Sequence, residues 1–174
     1  GRFTSACSPM IYRDDFLFDD DRIHAFTCEP FHNLVQHMIL TRDGCSFTAE
    51  RAEEEKALDF FASEDRWSRP VMARTGPDGA LWVVDMYRYM IEHSDWLPAA
   101  GKTEMKPHER KGSDQGRIYR IFPKKRATRP IPRLDTENSE QLVRQLAAPN
   151  GIIRDLAHRL LVERKAGFPT NSLS

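Results

Sequence analysis

Short runs of apolar residues recur along roughly the first 122 positions, and charged or turn-forming residues separate them. Runs of this length with such punctuation are typical of β-strands. The pattern therefore predicts a mainly β region, with strands at PMIY, HAFTC, NLVQHMIL, CSFTAER, VMART, ALWVVD and GRIYRIF.

The clearest unit is a predicted hairpin between Arg69 and Arg88. VMART and ALWVVD flank Gly76-Pro77-Asp78-Gly79, and both Pro and Gly suit a tight turn. The apolar residues of LWVV are consecutive rather than alternate, which is typical of a strand covered on both faces. This strand is therefore expected to belong to a sheet that is sandwiched between neighbours.

The strand pattern occurs twice. When Ser8-Pro9 is placed over Arg69-Pro70, each copy has a first strand that opens at a proline. The second strand of each copy ends in a carboxylate, at Glu29 and Asp85, and a third strand follows; the first copy adds a fourth. Repeats of four short strands are typical of β-propeller blades, so a partial β-propeller of about two blades is predicted over 1–122. An ordinary β-sandwich is the alternative.

The composition changes after this region. Residues 123–136 are basic and rich in proline, which predicts an extended linker. Residues 137–166 have apolar positions at helical spacing, and the polar residues 167–174 predict a frayed tail.

Two short amphipathic helices are predicted within 137–166, on either side of Pro149-Asn150-Gly151. Asn138 or Ser139 is the expected N-cap of the first helix. Such a pair is an α-helical hairpin of HEAT-like type, which normally stacks on further repeats. The residues expected to face the hairpin core are Leu142, Val143, Leu146 and Ala147 in the first helix, and Ile152, Ile153, Leu156, Ala157, Leu160 and Leu161 in the second.

Composition and charge narrow the class of protein. Lys+Arg and Asp+Glu both number 26, so bulk charge predicts no nucleic-acid partner. No run approaches the roughly 18 apolar residues of a membrane span, so no transmembrane segment is predicted in this piece. The chain starts at Gly1 with no leader-like segment, and it is therefore expected to be a piece excised from a longer parent.

Four segments together resemble one family: CSPMIYRDD, CEPFHNLVQHMIL, RPVMARTGPDGALWVVDMYRYMIEHSDW and GRIYRI. They are similar to the membrane-bound dehydrogenase, or haem-binding-type, proteins of planctomycetes. The propeller of that family is similar to soluble quinoprotein glucose dehydrogenase and to sorbosone dehydrogenases. In the family, HEAT-like repeats and then a cytochrome c domain follow the propeller, and NGIIRDLAHRLLVER resembles the first such repeat.

The resemblance implies a fragment of a quinoprotein-type sugar or polyol dehydrogenase that passes electrons to a haem domain. It implies pyrroloquinoline quinone and calcium in the parent, haem c in a missing cytochrome c domain that is a partner within the same parent chain, and a periplasmic, secreted or membrane-associated location. The catalytic base is expected in missing blades, so the fragment itself is expected to be inactive. A non-catalytic propeller that binds polysaccharide or protein is the alternative, and the helical part could also dock partners.

Candidate binding residues follow from where strands start and end. In a propeller blade the first strand starts, and the second strand ends, at the same side of the channel. The residues expected together there are Ser8, Glu29, Arg69 and Asp85. The insertion after ALWVVD leaves from that side too, and it is expected to form a lid over the channel. The candidate cofactor- or substrate-binding residues are Arg69, Asp85, Arg88, Glu29, His32, Asn33 and His93.

The two strongest candidates also have structural interpretations. Asp85 either caps the strand end, accepts hydrogen bonds from ligand hydroxyls, or forms an ion pair with Arg69 or Arg88. The planar fork of Arg69 suits a carboxylated cofactor such as the quinone. A structural salt bridge from Arg69 to Asp85 or Glu29 is the alternative.

The histidines, too, have both functional and structural interpretations. His93 forms an acid/base pair with Glu92 or lies at the surface. His32 and Asn33 contact the channel or close a turn. The other four histidines, which show no metal-ligand spacing and are expected to be surface or packing residues, are His24, His37, His108 and His158.

The three cysteines show neither CxxC nor CxxCH spacing, and no metal site is predicted. The repeat places Cys7 and Cys28 on adjacent strands at one side of the sheet, within reach of a disulfide. Two buried free thiols are the alternative.

Overall fold

The computed structural model describes residues 4–91 and 93–164, so the predicted tail over 167–174 lies outside the described residues. The chain forms two compact units. The first consists of the residues up to Tyr12, Asp21–Arg74 and Trp82–Arg120; the second consists of Arg13–Asp20, Thr75–Leu81 and the chain from Ile121. The helical unit thus includes two segments from the predicted β region, which the sequence pattern does not anticipate.

The first sheet is an antiparallel meander in the order β1-β2-β3-β4. The predicted strands are confirmed to within a few residues. A short fifth strand pairs with β3 and was not predicted. The strands are β1 Cys7–Ile11, β2 Ile23–Glu29, β3 Leu34–Asp43, β4 Ser46–Glu50 and β5 Phe61–Ala62.

The second sheet has the order β6-β7-β8, with β6 Pro70–Thr75, β7 Leu81–Asp85 and β8 Arg117–Ile121. The turn between β6 and β7 is closed by Gly76 N–H, which donates to the carbonyl oxygen of Ala80 at 2.7 Å. Gly79 has φ +87°, and a Cβ there would lie 2.6 Å from Cβ of Phe16. Only glycine fits this turn without strain.

The internal repeat is present, but its predicted alignment is wrong by two residues. β1 begins at Cys7, so Pro9 lies inside this strand, whereas β6 begins at Pro70. A bulge accounts for one of these two residues, since Ser8 has φ +51° and the register shifts between Cys7 and Met10.

Ser8 lies in the bulge of β1 and links the two sheets. Its Oγ accepts hydrogen bonds from Ala73 N–H at 3.2 Å and from Nη1 of Arg74 at 2.8 Å. These contacts place β1 beside β6, so the first strands of the two sheets are neighbours. That Ser8 gathers with Glu29, Arg69 and Asp85 stays a prediction.

Two histidines lie in the core of the first sheet, so the packing interpretation is the one that applies to them. His24 and His37 are 4% and 2% exposed. Nδ1 of His24 lies 2.9 Å from Nε2 of His37, and Nδ1 of His37 lies 2.9 Å from a carboxylate oxygen of Glu55. Phe26 stacks on His37 at 4.8 Å, so the apolar core encloses a hydrogen-bonded polar chain.

The insertion between β7 and β8 is partly helical. It contains a 3₁₀ turn at Ser94–Trp96, helix α1 at Ala99–Met105 and a second 3₁₀ turn at Lys106–His108. Among the described residues, no helix is both long and apolar enough to cross a membrane.

The second unit contains helices α2, Ser139–Gln145, and α3, Gly151–Glu163. Asn138 is confirmed as the N-cap of α2, in a capping box with Gln141. The predicted core positions Leu146 and Ala147 are exposed, because α2 ends before them. The buried core consists of Leu134, Leu142, Ile153, Ala157 and Leu161, so the predicted linker contributes one of its members.

Asn150 is the buried N-cap of α3. Its Oδ1 accepts hydrogen bonds from the N–H groups of Ile152 at 2.9 Å and Ile153 at 3.0 Å. Its Nδ2 donates to Oδ2 of Asp14 at 2.5 Å and to the carbonyl oxygen of Gly76 at 2.7 Å. One side chain therefore begins the helix and also ties it to two segments of the same unit.

The pKa of Asp14, the partner of Asn150, is subject to opposing effects. Burial raises the pKa of its carboxyl, while the hydrogen bond from Asn150 and the charge of Arg129 lower it. Nη1 of Arg129 lies 2.7 Å from Oδ1 of Asp14. The backbone supports the same contact, because Gly151 N–H donates to the carbonyl oxygen of Arg13 at 2.7 Å.

Candidate functional site

Asp85 ends β7 with a fully satisfied, buried carboxylate that is 1% exposed. Its Oδ1 accepts from the backbone N–H groups of Arg69 at 2.7 Å and Tyr87 at 2.9 Å. Its Oδ2 accepts from Oγ of Ser68 at 2.9 Å and from Nε of Arg117 at 3.0 Å. These contacts match the capping interpretation and leave this carboxylate little capacity for a ligand.

Glu29 performs the same task in the first sheet. It is fully buried at the end of β2, and its Oε1 accepts hydrogen bonds from Ser5 N–H at 3.1 Å and from Ser5 Oγ at 2.8 Å. Ser5 precedes β1 by two residues, as Ser68 precedes β6. In both sheets, a carboxylate at the end of the second strand therefore anchors the chain that enters the first strand.

Arg69 uses its guanidinium on backbone carbonyl oxygens. It donates to the carbonyls of Pro30 at 3.1 Å, Arg88 at 3.1 Å and Tyr89 at 3.0 Å. Because its own N–H binds Asp85, this residue brings the ends of β2 and β7 to one edge, which we call the rim. No salt bridge joins its side chain to Asp85 or Glu29 within the described part of the chain.

Arg88 was expected to pair with a carboxylate, and it too binds carbonyls. Its Nη1 donates to the carbonyl oxygens of Met86 at 3.1 Å, Tyr87 at 2.9 Å and Gly112 at 3.0 Å. It thereby holds the start of the insertion against its end. The predicted ion pairs of Asp85 with Arg69 or Arg88 are wrong, because the arginine that reaches this carboxylate is Arg117 on β8.

Sequence analysis missed Arg117, which lies in a strand with no unusual local pattern. Its guanidinium bridges Asp85 and Asp65, with Nη2 3.1 Å from Oδ2 of Asp65. It also lies 4.5 Å from the ring centre of Tyr87, a cation–π distance. The pKa of Asp65 lies below its ordinary value. The main cause is the hydrogen bond from the backbone N–H of Trp67, and the hydrogen bond from Arg117 has a smaller effect.

A cleft of about 500 Å³ opens at the rim beside Arg69. Its described walls come from the β2–β3 turn, the segment before β6, the start of the insertion and α1. The lining residues are Phe31, Asn33, Arg66, Trp67, Arg69, Tyr89, Met90, Ile91 and Met105. The predicted insertion thus does border a cavity.

Aromatic rings form one face of the cleft. Phe31 is 47% exposed and Tyr89 is 39% exposed. The ring of Trp67 lies 5.4 Å from that of Tyr89 in an edge-on contact, and 5.8 Å from that of Tyr87 in a tilted contact. Tyr87 has φ +53°, an unusual conformation for a bulky residue, so the backbone is strained where it carries these rings.

The remaining candidates divide between the cleft and the surface. Asn33 lines the cleft with φ +60°, and its Nδ2 donates to the carbonyl oxygens of Arg66 at 3.3 Å and Ser68. His32 is exposed, and its ring contacts that of Phe31. His93 is exposed and lies 3.6 Å from Asp95, while its predicted partner Glu92 lies outside the described residues.

Cys7 and Cys28 are direct partners in the β1–β2 register, and both are free thiols in the structure. Sγ of Cys7 donates to the carbonyl oxygen of Val71 at 3.4 Å. Burial raises the pKa of Cys28 to about 12, and burial followed by the charge of Glu29 raises the pKa of Cys7. The pairing matches the predicted adjacency, and the disulfide itself stays a prediction.

Within residues 4–91 and 93–164, no group of three or more His, Cys, Asp or Glu side chains could hold a metal ion. The side chains that line the cleft are aromatic and aliphatic ones, two arginines and one amide.

Comparisons with known proteins identify a family and nothing finer. No curated protein and no solved structure matches the chain. One family model, described as a domain of unknown function (DUF7133), matches residues 1–125. Because this match covers well over half of the sequence, the chain belongs to the DUF7133 family.

Proposed function

We propose that the cleft at the rim binds a sugar or polyol. The observation that carries the proposal is the aromatic face of Phe31, Trp67 and Tyr89 in a cavity of about 500 Å³. Ligand pockets combine such apolar faces with a few placed polar groups. Here Oδ1 of Asn33 and the Tyr89 hydroxyl make no hydrogen bond to any described residue and can serve ligand hydroxyls.

The sheets are proposed to be two blades of a β-propeller, and α2 with α3 a HEAT-like hairpin. Two features support the blades: both sheets are meanders with the same carboxylate anchor, and their first strands are neighbours. The hairpin is supported by its short connection and its shared apolar core.

The parent protein is proposed, from the sequence resemblance, to be a quinoprotein-type dehydrogenase in the periplasm or at the cell surface. When bound, the quinone would accept the two electrons of an oxidised CH–OH group, and the haem domain would receive them. Arg69, the residue expected to bind the quinone carboxylates, already donates to three carbonyls. We therefore propose that the quinone carboxylates are bound by residues other than Arg69.

Sugar binding predicts a specific role for Trp67. We expect Trp67→Ala to weaken binding of methyl glucoside about tenfold, because the loss of an aromatic stacking face costs about 1–1.5 kcal/mol. Binding is measured by calorimetry or by ligand-observed NMR. Trp96→Ala is the matched control, since Trp96 is 85% exposed and is not among the residues that line the cleft. Equal losses in both variants, or none in either, would contradict the proposal.

Oxidation is tested in the full-length parent. Sugar-dependent reduction of a dye, dependent on added quinone, is the expected result. The second candidate function is a non-catalytic polysaccharide-binding module, which is supported by the same aromatic lining of the cleft. Sugar binding without dye reduction would support that module and overturn the dehydrogenase.

A further inference from the structure

Arg66 is a charged group that the proposed binding mode does not yet use. It lines the cleft next to Trp67, and its side chain is exposed. Its guanidinium makes no hydrogen bond or ion pair with any residue in the described part of the chain. Guanidinium stays charged at every physiological pH, and its planar fork matches a carboxylate in a bidentate manner.

The other charged groups nearby are engaged by the protein itself. Arg69 donates to carbonyl oxygens, as described above. The Asp65 carboxylate accepts from Trp67 N–H at 3.0 Å and from Arg117 at 3.1 Å. No Asp or Glu is among the described lining residues of the cleft. The charged residues among the described lining are Arg66 and Arg69, and of these Arg66 is the one whose guanidinium remains available to a ligand.

The segment that carries Arg66 is fixed in place. Asn33 donates its amide hydrogens to the carbonyl oxygens of Arg66 and Ser68, and the Trp67 ring packs between Tyr87 and Tyr89. Binding groups held before the ligand arrives lose less conformational entropy on binding. The Trp67 ring and the backbone of Arg66 are thus held in place, and the exposed Arg66 side chain extends from this fixed segment.

We propose that the cleft selects sugar acids, such as hexuronates, over neutral sugars. The pyranose ring contacts Trp67, and the carboxylate of the same sugar binds Arg66. This inference rests on the proposed function, because it requires a sugar in the cleft.

The test compares D-glucuronate with D-glucose, both as methyl glycosides, on the full chain by calorimetry or NMR titration. We expect glucuronate to bind about tenfold more tightly at low salt, and this advantage to shrink at high salt, because ions screen an exposed charge pair. Arg66→Gln should remove the advantage of glucuronate over glucose. Arg42→Gln is the matched control: this arginine is exposed on β3 and is not among the lining residues.

The outcomes separate the two proposals. If both sugars bind equally and Trp67→Ala weakens both, sugar binding stands and the preference for sugar acids is wrong. If neither sugar binds the unaltered chain, both proposals fail. If Arg42→Gln matches the effect of Arg66→Gln, the preference reflects overall charge and the assignment of Arg66 is overturned.

Discussion

Asp85→Ala is expected to lower the free energy of unfolding of the first unit by about 3–5 kcal/mol, because each buried donor left without an acceptor costs about 1–3 kcal/mol. The variant leaves Arg69 N–H, Tyr87 N–H and Ser68 Oγ without their acceptor in a buried site. Arg117 retains Asp65 and is 40% exposed, so water can compensate part of its loss. Tryptophan fluorescence during urea unfolding measures the effect, since all three tryptophans lie in this unit.

Two further variants decide the cause. Asp85→Asn keeps the volume and one acceptor oxygen, so it should be less destabilising than Asp85→Ala. Glu53→Ala is the surface control, because the Glu53 carboxylate pairs with Lys56 while 82% exposed, and such pairs contribute little. An Asp85→Ala transition that coincides with that of the unaltered protein would show that the anchor is dispensable.

Asn150→Ala is expected to destabilise the second unit by about 3 kcal/mol. Loss of an N-cap costs about 1–2 kcal/mol, and loss of the buried bonds to Asp14 and Gly76 adds to it. Urea unfolding followed by far-ultraviolet circular dichroism reports on α2 and α3. The matched control is Asn138→Ala, which removes an exposed N-cap of the neighbouring helix and should cost only about 1 kcal/mol.

Asn150→Asp separates the two roles of this side chain. Aspartate caps helices as well as asparagine does, but it cannot donate to Gly76, and it places a second carboxylate against Asp14. If the bridge matters most, this variant should be at least as unstable as Asn150→Ala. Stability equal to that of the unaltered chain would show that capping alone explains the residue.

Local patterns were sufficient for most of the secondary structure. The turn at Gly76–Gly79 and the helix cap at Asn138 follow from backbone preferences that act over a few residues. The predicted alignment of the repeat is wrong by two residues. The bulge at Ser8, a local insertion that apolar periodicity does not reveal, accounts for one of them. The prediction that Leu146 and Ala147 lie in the core of the hairpin is wrong for a similar reason. The apolar pattern continues past the point where α2 ends.

The candidate site was only partly predictable. Strand ends correctly drew attention to the rim, and Arg69 and Asn33 do line the cleft. The arginine that pairs with Asp85 was not predicted, because Arg117 is 32 positions away along the chain and reaches Asp85 only through sheet pairing. Trp67 and Arg66 carry no motif at all, and their significance depends on what surrounds them.

The sequence by itself determined the mainly β organisation, the two helices at the end and the two carboxylates that close the second strands, because periodicity and turn chemistry are local properties. Only the tertiary structure decided which donors those carboxylates meet, how the His24–His37 pair is buried, and that an aromatic face and an arginine share one cleft. Such contacts join residues far apart in the chain, and their energies depend on burial and distance, which no local pattern specifies.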